Sequence, residues 1–150
     1  MLMLLPACGS AQTGAKQMEY VASTPCNTGS KPIPGIPNSA TCELILWNLK
    51  LNLETAGKPS TFELHCSYGT PQNGTKGLTG GGTKLEFRGS FSMTVDRSGR
   101  TMYTLEPQGV PGKIYLVKLN DRLLHLLDSD HRLMIGTGAW SYTLNRIDHQ

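Results

Sequence analysis

The sequence contains little charge and no long apolar run. Asp, Glu, Lys and Arg make up 17% of its 150 residues, against 38% hydrophobic residues, which excludes a coiled coil or a charge-rich disordered chain. The formal net charge of +3 comes from basic residues scattered along the chain, so nucleic acid is not an expected partner. No stretch approaches the roughly 18 consecutive apolar residues that a membrane-spanning helix needs. A chain of this length accommodates one domain.

Catalytic and metal-binding signatures are also missing. The histidines show no ligand spacing such as HxH or HxxxH: His65, His125, His131 and His149. His65 and Cys66 are neighbours in a predicted strand, so their side chains point to opposite faces and cannot form a nucleophile pair or bind one ion together. We therefore predict that the protein is not an enzyme and carries no cofactor or metal ion.

The N-terminal residues resemble a lipoprotein processing site. They are apolar up to Cys8, and Leu5-Pro6-Ala7-Cys8 places Leu three residues before the Cys and a small residue directly before it, as in a bacterial lipobox. In such a site the Cys8 thiol receives a diacylglycerol and the residue becomes the new N-terminus, so we interpret residues 1–8 as the remnant of a lipoprotein signal. We expect a protein anchored by lipid in the bacterial cell envelope, at the outer membrane, on its periplasmic or surface side.

The remaining cysteines, Cys26, Cys42 and Cys66, allow one disulfide and leave one thiol. We favour pairing of Cys26 with Cys42, because they flank a Pro-rich segment with no core of its own. Closing a loop of about 15 residues contributes roughly 3 kcal/mol in the chain-entropy model. Residues 9–41 show no sustained hydrophobic period and are rich in Gly, Ser, Thr and Pro, which predicts a tether followed by an irregular lead-in.

A hydrophobic period of two begins at Cys42, where Trp47, Leu49 and Leu51 alternate with polar residues. The predicted strands cover residues 42–53, 61–68, 84–95, 103–105, 113–119, 122–127, 131–135 and 139–146. Short strands separated by turns predict an all-β fold, a small antiparallel eight-stranded barrel of lipocalin-like, up-and-down type over residues 42–147. Gly89 predicts a bend in its wall, and the Gly-rich residues 69–83 predict a loop that acts as a lid.

The inward face of this barrel is rich in aromatic residues, and an eight-stranded barrel either fills its interior or holds one small ligand. The candidate ligand-binding residues are Trp47, Tyr68, Phe87, Phe91, Trp140 and Tyr142. One hypothesis is a carrier or sensor of a small apolar ligand. The alternatives are metal handling and a filled barrel that serves as a structural or interaction module. The latter predicts an exposed apolar patch formed by Leu44, Leu46, Ile114 and Leu116.

The C-terminal half contains several recognisable motifs. They are Gly80-Gly81-Gly82-Thr83-Lys84, Leu119-Asn120-Asp121, Leu124-His125-Leu126-Leu127-Asp128, and Leu133-Met134-Ile135-Gly136 running into Trp140-Ser141-Tyr142-Thr143-Leu144-Asn145-Arg146. Together they resemble a group of uncharacterised lipoproteins from Bacteroidota over roughly residues 38–147.

A more distant resemblance rests on the Pro-rich lead-in, with Pro32, Pro34 and Pro37, and on the order x-Leu-x-Leu-Leu-Asp near the end. These features are similar to the N-terminal barrel domain of the copper-resistance, envelope-stress lipoproteins (NlpE-like). That resemblance implies a lipocalin-related barrel with a role in surface sensing or copper handling. The CxxC that this family has in its lead-in has no counterpart here, since Cys26 and Cys42 are far apart in sequence.

Overall fold

The computed structural model describes residues 15–26 and 31–149, so the expected lipidation site at Cys8 lies outside the described residues. Within them the chain forms one short 3₁₀ turn, Thr79–Gly81, and eight strands. The strands are β1 (Lys16–Pro25), β2 (Leu44–Leu53), β3 (Pro59–Gly69), β4 (Thr83–Val95), β5 (Thr101–Pro107), β6 (Ile114–Asn120), β7 (Leu123–Leu127) and β8 (Thr143–Ile147).

Each strand pairs antiparallel with the next one along the chain, and β8 returns to pair with β1. This ring of pairings closes the sheet into a barrel and confirms the predicted all-β, up-and-down architecture. The alternation read from residues 42–53 and 61–68 forms the expected hairpin, in which Leu49 lies opposite Leu64. Closure removes the free sheet edges that would otherwise pair with other chains.

The barrel begins at Lys16, earlier than predicted. Strand β1 lies in a segment that the sequence analysis assigned to tether and lead-in, yet it pairs with β2 along its whole length, from Lys16↔Leu53 to Pro25↔Leu44. Its inward side chains Met18 and Tyr20 are buried. The expected boundary at residue 42 is therefore wrong, because pairing with β2 and β8 orders a segment whose own hydrophobic pattern is weak.

The predicted strand at residues 131–135 is also wrong. This segment makes one isolated bridge, Leu127↔Leu133, and lies in the connection between β7 and β8. His131 has a φ of 61°, which belongs to a turn and not to a strand. Asp128 holds that turn, since its side chain accepts hydrogen bonds from the backbone N–H groups of Asp130 and Arg132, each at 2.9 Å.

The interior of the barrel is one continuous apolar cluster. It includes Ile114 and Leu116, which were expected on an outer patch with Leu44 and Leu46. That expectation is wrong, because Leu116 lies opposite Leu126 in the β6–β7 ladder and both residues point into the core. Leu44 is buried as well, and Leu46 is only partly exposed.

A smaller apolar cluster lies on the outside of the wall and is formed by Met102, Val117 and Leu127. Tyr115 packs against it, and the His131 ring contacts the Tyr115 ring with centroids 4.5 Å apart. The connection after β7 thus contacts this part of the wall through His131, whereas Met134 packs against the barrel cluster and Leu133 and Ile135 are exposed.

Gly89, the position at which a bend is predicted, lies in the middle of the long strand β4. A Cβ atom at this position would lie 2.0 Å from the carbonyl oxygen of Glu106 and 3.0 Å from Cε1 of Phe62. Only a residue without a side chain allows β5 to approach β4 so closely here. Residues of β4 before Gly89 pair with β3, Gly89 and Ser90 pair with both β3 and β5, and residues from Phe91 onward pair with β5 alone.

The barrel has two different ends, because successive strands alternate in direction. The turn end holds the short connections 54–58, 96–100 and 121–122, the start of β1 and the end of β8. The loop end holds the longer connections, with described residues 31–43, 70–82, 108–113 and 128–142.

The loop end is covered by the lead-in. A disulfide joins Cys26 to Cys42, the pair that the sequence favours, with Cα atoms 5.4 Å apart. Ile33 and Ile36 are buried in the barrel cluster. Between them the chain passes over Phe87, since a Cβ at Gly35 would lie 3.5 Å from the edge of that ring.

The Gly-rich residues 69–83 also lie at the loop end. They are not structureless, because Pro71 and Leu78 form a bridge and Leu78 is buried. Gly82 has a φ of 71°, and a Cβ there would clash with both Leu78 and the Tyr68 carbonyl oxygen. The segment is thus folded and packs against the rim of the barrel.

Candidate functional site

Most of the aromatic residues predicted to bind a ligand are parts of the packed core. These residues are Trp47, Tyr68, Phe87, Phe91 and Tyr142. The indole N–H of Trp47 donates a hydrogen bond of 2.8 Å to Thr24 Oγ1. Phe91 packs on Tyr103 with ring centroids 6.1 Å apart. The structure brings these side chains together as contacts within the interior.

Trp140 differs from this group. It lies in the 128–142 connection, outside any strand, and is 37% exposed. The expectation that it faces the interior is wrong, because the β7–β8 ladder includes only residues from Thr143 onward. Its carbonyl oxygen accepts a hydrogen bond from the Thr137 N–H at 2.8 Å, which closes a local turn.

At the turn end the inward face of the wall changes from apolar to charged. Lys118 lies opposite Leu124, and Arg146 lies opposite Tyr20. Residues directly opposed in an antiparallel ladder share a face, and both Leu124 and Tyr20 point into the core. Lys118 and Arg146 are therefore inward-facing cations at the rim of the barrel.

These cations belong to a charged group that we call the basic mouth, formed by Lys16, Lys118, Arg122 and Arg146 with Asp121 and Asp148. Lys118 Nζ lies 3.0 Å from Asp121 Oδ1, and Arg122 Nη1 lies 2.7 Å from Asp148 Oδ2. Arg146 Nε is 3.7 Å from the other Asp148 carboxylate oxygen. Two carboxylates thus face four cations, and the group keeps an excess of positive charge.

Three cations of the basic mouth act on the carboxylate of Asp121. The hydrogen bond from Lys118 holds the pKa of Asp121 below its ordinary value, and the charges of Lys118, Arg146 and Lys16 lower it further. The pKa of Asp148 is lowered in the same way, first by its hydrogen bond from Arg122. Both carboxylates are therefore ionised at neutral pH, and they leave the cationic excess uncompensated.

Two buried tyrosines lie beneath the basic mouth. Burial raises the pKa of both Tyr20 and Tyr103, while the charge of Arg146 opposes this rise at each phenol. The Tyr20 hydroxyl donates to Met18 Sδ at 3.9 Å. Both phenols stay neutral at physiological pH, so beneath the charged rim the interior becomes uncharged and then apolar.

Exposed apolar side chains border the basic mouth. Met93 and Val95 continue the inward face of β4 beyond its last pair with β3, and Val95 is 70% exposed. Leu119 follows Lys118 on β6 and is 50% exposed. A depression of about 620 Å³ on this end is lined by residues 120–123, Asn145 and Arg146. Excess positive charge and exposed apolar surface therefore occur together at the turn end.

The outer wall carries a separate set of polar residues around His65. Its Nδ1 lies 3.2 Å from Glu86 Oε1, at a depression of about 350 Å³. The neighbouring Cys66 thiol points into the core, and burial raises its pKa to about 12. Its pKa keeps this thiol protonated and inert as a nucleophile. Within residues 15–26 and 31–149, no three His, Cys, Asp or Glu side chains are placed to hold a metal ion.

Glu19 is a buried carboxylate on the outer face of β1, where it is 7% exposed. Asn48 Nδ2 donates to its Oε1 at 2.6 Å, and the ring of His149 contacts its Oε2. The hydrogen bond from Asn48 is the largest cause that lowers the pKa of Glu19, and it outweighs the opposing effect of desolvation. The C-terminal tail is thereby fastened to the first strand.

The basic mouth was not predicted from the sequence. A usable signal was present, since continuing the alternation Ile114, Leu116 leads to Lys118 on the inward face, and continuing Tyr142, Leu144 leads to Arg146. A charged residue at an inward position is unusual enough to mark a rim or a site. β6 and β8 both end at this rim, on either side of β7, and the sequence pattern alone does not show this arrangement.

Comparison with known proteins found no match for this chain among protein-family models, curated proteins or solved structures. No helix in the described part of the chain has the length and apolar character required to cross a membrane.

Proposed function

We propose that this protein is a non-enzymatic interaction module of the bacterial cell envelope, tethered through a lipid on Cys8 and acting through the surface of a filled barrel. The single observation that carries the proposal is the continuous interior cluster, which includes the aromatic residues expected to surround a ligand. Side chains that pack on one another in this way act as a core.

The chemistry of the described side chains supports a binding role over a catalytic one. The buried thiol of Cys66 is protonated, and His65, its neighbour in sequence, faces the opposite side of the wall. Charged groups are concentrated on the outside and at the basic mouth, where they engage in ion pairs. A carrier of a small apolar ligand is the less favoured function, because a ligand would have to displace well-packed aromatic side chains.

The interior is tested by native mass spectrometry of the protein taken directly from its host without added ligand. A filled module gives the mass of the lipidated chain alone, with Cys26 and Cys42 oxidised. A stoichiometric additional mass that is lost on denaturation would instead establish a carrier and overturn the filled-core proposal.

The tether is tested separately with the variant Cys8→Ser. We expect the wild-type protein to fractionate with membranes and to carry the mass of a diacylglycerol on Cys8, and the variant to lose that mass. A Cys66→Ser variant is the matched control, since it removes a thiol that lies within the barrel. An unmodified Cys8 in the wild-type protein would refute the lipid anchor.

A further inference from the structure

The turn end carries three features that the proposed module does not explain. Four cations face two carboxylates in the basic mouth, Lys118 and Arg146 point inward from their strands, and exposed apolar side chains stand beside them. A core-facing strand position normally holds an apolar residue, and a cation there costs stability, so its presence points to a role other than packing.

The path of the chain determines which end lies near a tether. Strand β1 starts at Lys16 on the turn end, and Cys8 precedes it by eight residues in sequence. A fully extended connection of that length spans at most about 28 Å. If Cys8 carries a lipid, the turn end is held within this distance of the bilayer surface, while the loop end lies at the far side of the barrel.

We propose that the basic mouth is a docking surface for a bilayer that contains anionic lipids, and that it orients the barrel with its turn end on the membrane. The argument from the chain path depends on the proposed tether, whereas the arguments from charge and exposed apolar surface do not. Cations at a membrane surface attract anionic headgroups, by about fivefold in affinity for each Lys or Arg.

The apolar rim fits the same partner. Val95, Leu119 and Met93 are exposed at the same end of the barrel as the basic mouth, so they are available to contact acyl chains when the cations contact the phosphates. A free anion would use the cations but gain nothing from these side chains. The combination of cationic excess and exposed aliphatic groups therefore points to a lipid surface.

The loop end differs in this respect. Its exposed apolar residues, Leu133, Ile135 and Trp140, lie in one connection whose charged residues are Asp128, Asp130 and Arg132, so this connection has no excess of positive charge. This end provides a matched control, because Ile135 is even more exposed than Val95, at 85%. Equivalent substitutions at the two residues change charge and hydrophobicity similarly but at opposite ends.

The experiment uses the full-length chain with Cys8→Ser, so that no lipid contributes to binding. Its partition onto vesicles of phosphatidylcholine with about one-third phosphatidylglycerol is measured by co-sedimentation, at about 0.1 M and about 1 M salt. We expect binding at low salt that is strongly reduced at high salt, and little binding to vesicles of phosphatidylcholine alone.

The decisive variants add Val95→Glu or Ile135→Glu to this chain. Val95→Glu is expected to weaken vesicle binding by fivefold or more, and Ile135→Glu to leave it unchanged. A Lys118→Gln, Arg146→Gln double variant should lower binding by about 25-fold, against no more than a few-fold for Lys76→Gln, Lys84→Gln at the loop end. Circular dichroism checks that each variant is folded, and Val95→Glu retains the test if the double variant unfolds.

Three results would overturn the inference. They are absence of salt-sensitive binding to anionic vesicles, equal effects of Val95→Glu and Ile135→Glu, or full competition by millimolar soluble glycerol phosphate, which would indicate a free-anion site. Each can be told apart from failure of the tether, because the Cys8→Ser chain tests docking without a lipid and the mass on Cys8 tests the tether without docking.

Discussion

The loop end and the turn end of the barrel differ in the residues that close them. At the loop end, a disulfide-bonded lead-in buries Ile33 and Ile36 against the core. At the turn end, short turns leave Val95 exposed and bring Lys118 and Arg146 to the inner rim. The loop end thus stabilises the fold through a disulfide and buried apolar residues. The turn end instead places charged residues at positions that could hold apolar ones, which is typical of a binding surface.

Removing the disulfide is expected to have the largest effect and to act on the loop end. The variant Cys26→Ser, Cys42→Ser should lower the free energy of unfolding by about 3 kcal/mol, because the bond closes a loop of 16 residues in the unfolded chain. Urea unfolding of the oxidised protein and the variant measures this difference. Reduction of the wild-type protein should reproduce it, and equal stability of all three forms would show that the lead-in is held by packing alone.

A second comparison replaces one aliphatic residue at each end. Ile33→Ala removes a side chain that is 1% exposed and should cost about 3 kcal/mol. Val95→Ala removes one that is 70% exposed and should change stability by less than about 0.5 kcal/mol. Thermal unfolding of the two variants measures the contrast. A large loss for Val95→Ala would mean that the turn end is packed and unavailable for a partner.

The carboxylate of Glu19 fastens the C-terminal tail near the turn end and should make stability depend on pH. Its native pKa is lowered below the ordinary value of 4.5, first by the hydrogen bond from Asn48. The ionised form is therefore the stabilised one, and its contribution of about 1 kcal/mol is present above pH 4.5 and lost as the pH falls through the native pKa.

The measurement is thermal unfolding of the wild-type protein and of Glu19→Gln between about pH 7 and pH 2. The wild-type protein should be more stable near neutral pH, and the difference should vanish in acid. Glu86→Gln is a suitable control, because Glu86 is an exposed carboxylate on the same wall. A difference that persists unchanged into acid would assign the effect of the variant to packing.

The sequence predicted the barrel well where each strand supplies its own alternation. Residues 42–53, 61–68 and 84–95 carry large aliphatic or aromatic side chains at most alternate positions, and the structure has strands there. Strand β1 was missed because small and polar residues such as Ala22, Ser23 and Thr24 interrupt its pattern. Its order comes from ladders with strands distant in sequence, which local periodicity does not record.

The strand predicted at residues 131–135 was wrong for the opposite reason. Its apolar side chains resemble a strand pattern, although Asp128 and His131 form a turn. The candidate ligand residues show the same limit. Alternation correctly placed Trp47 and Phe87 on the inside, but it does not distinguish a lined cavity from a filled one. That difference depends on side-chain packing between strands, which the sequence pattern alone leaves open.

Lys118→Met is expected to have the smallest effect on stability and tests what the turn end is for. The exposed Lys118–Asp121 ion pair contributes little to stability because solvent screens it, and an apolar side chain at an inward position offsets its loss by burial. Stability should therefore stay the same or rise slightly, while binding to anionic vesicles falls about fivefold. Paired measurements of unfolding and vesicle binding on this variant check both. If Lys118→Met is strongly destabilised and binds vesicles as before, the inward cation is a structural element, and the contrast between the two ends is not one of stability against binding.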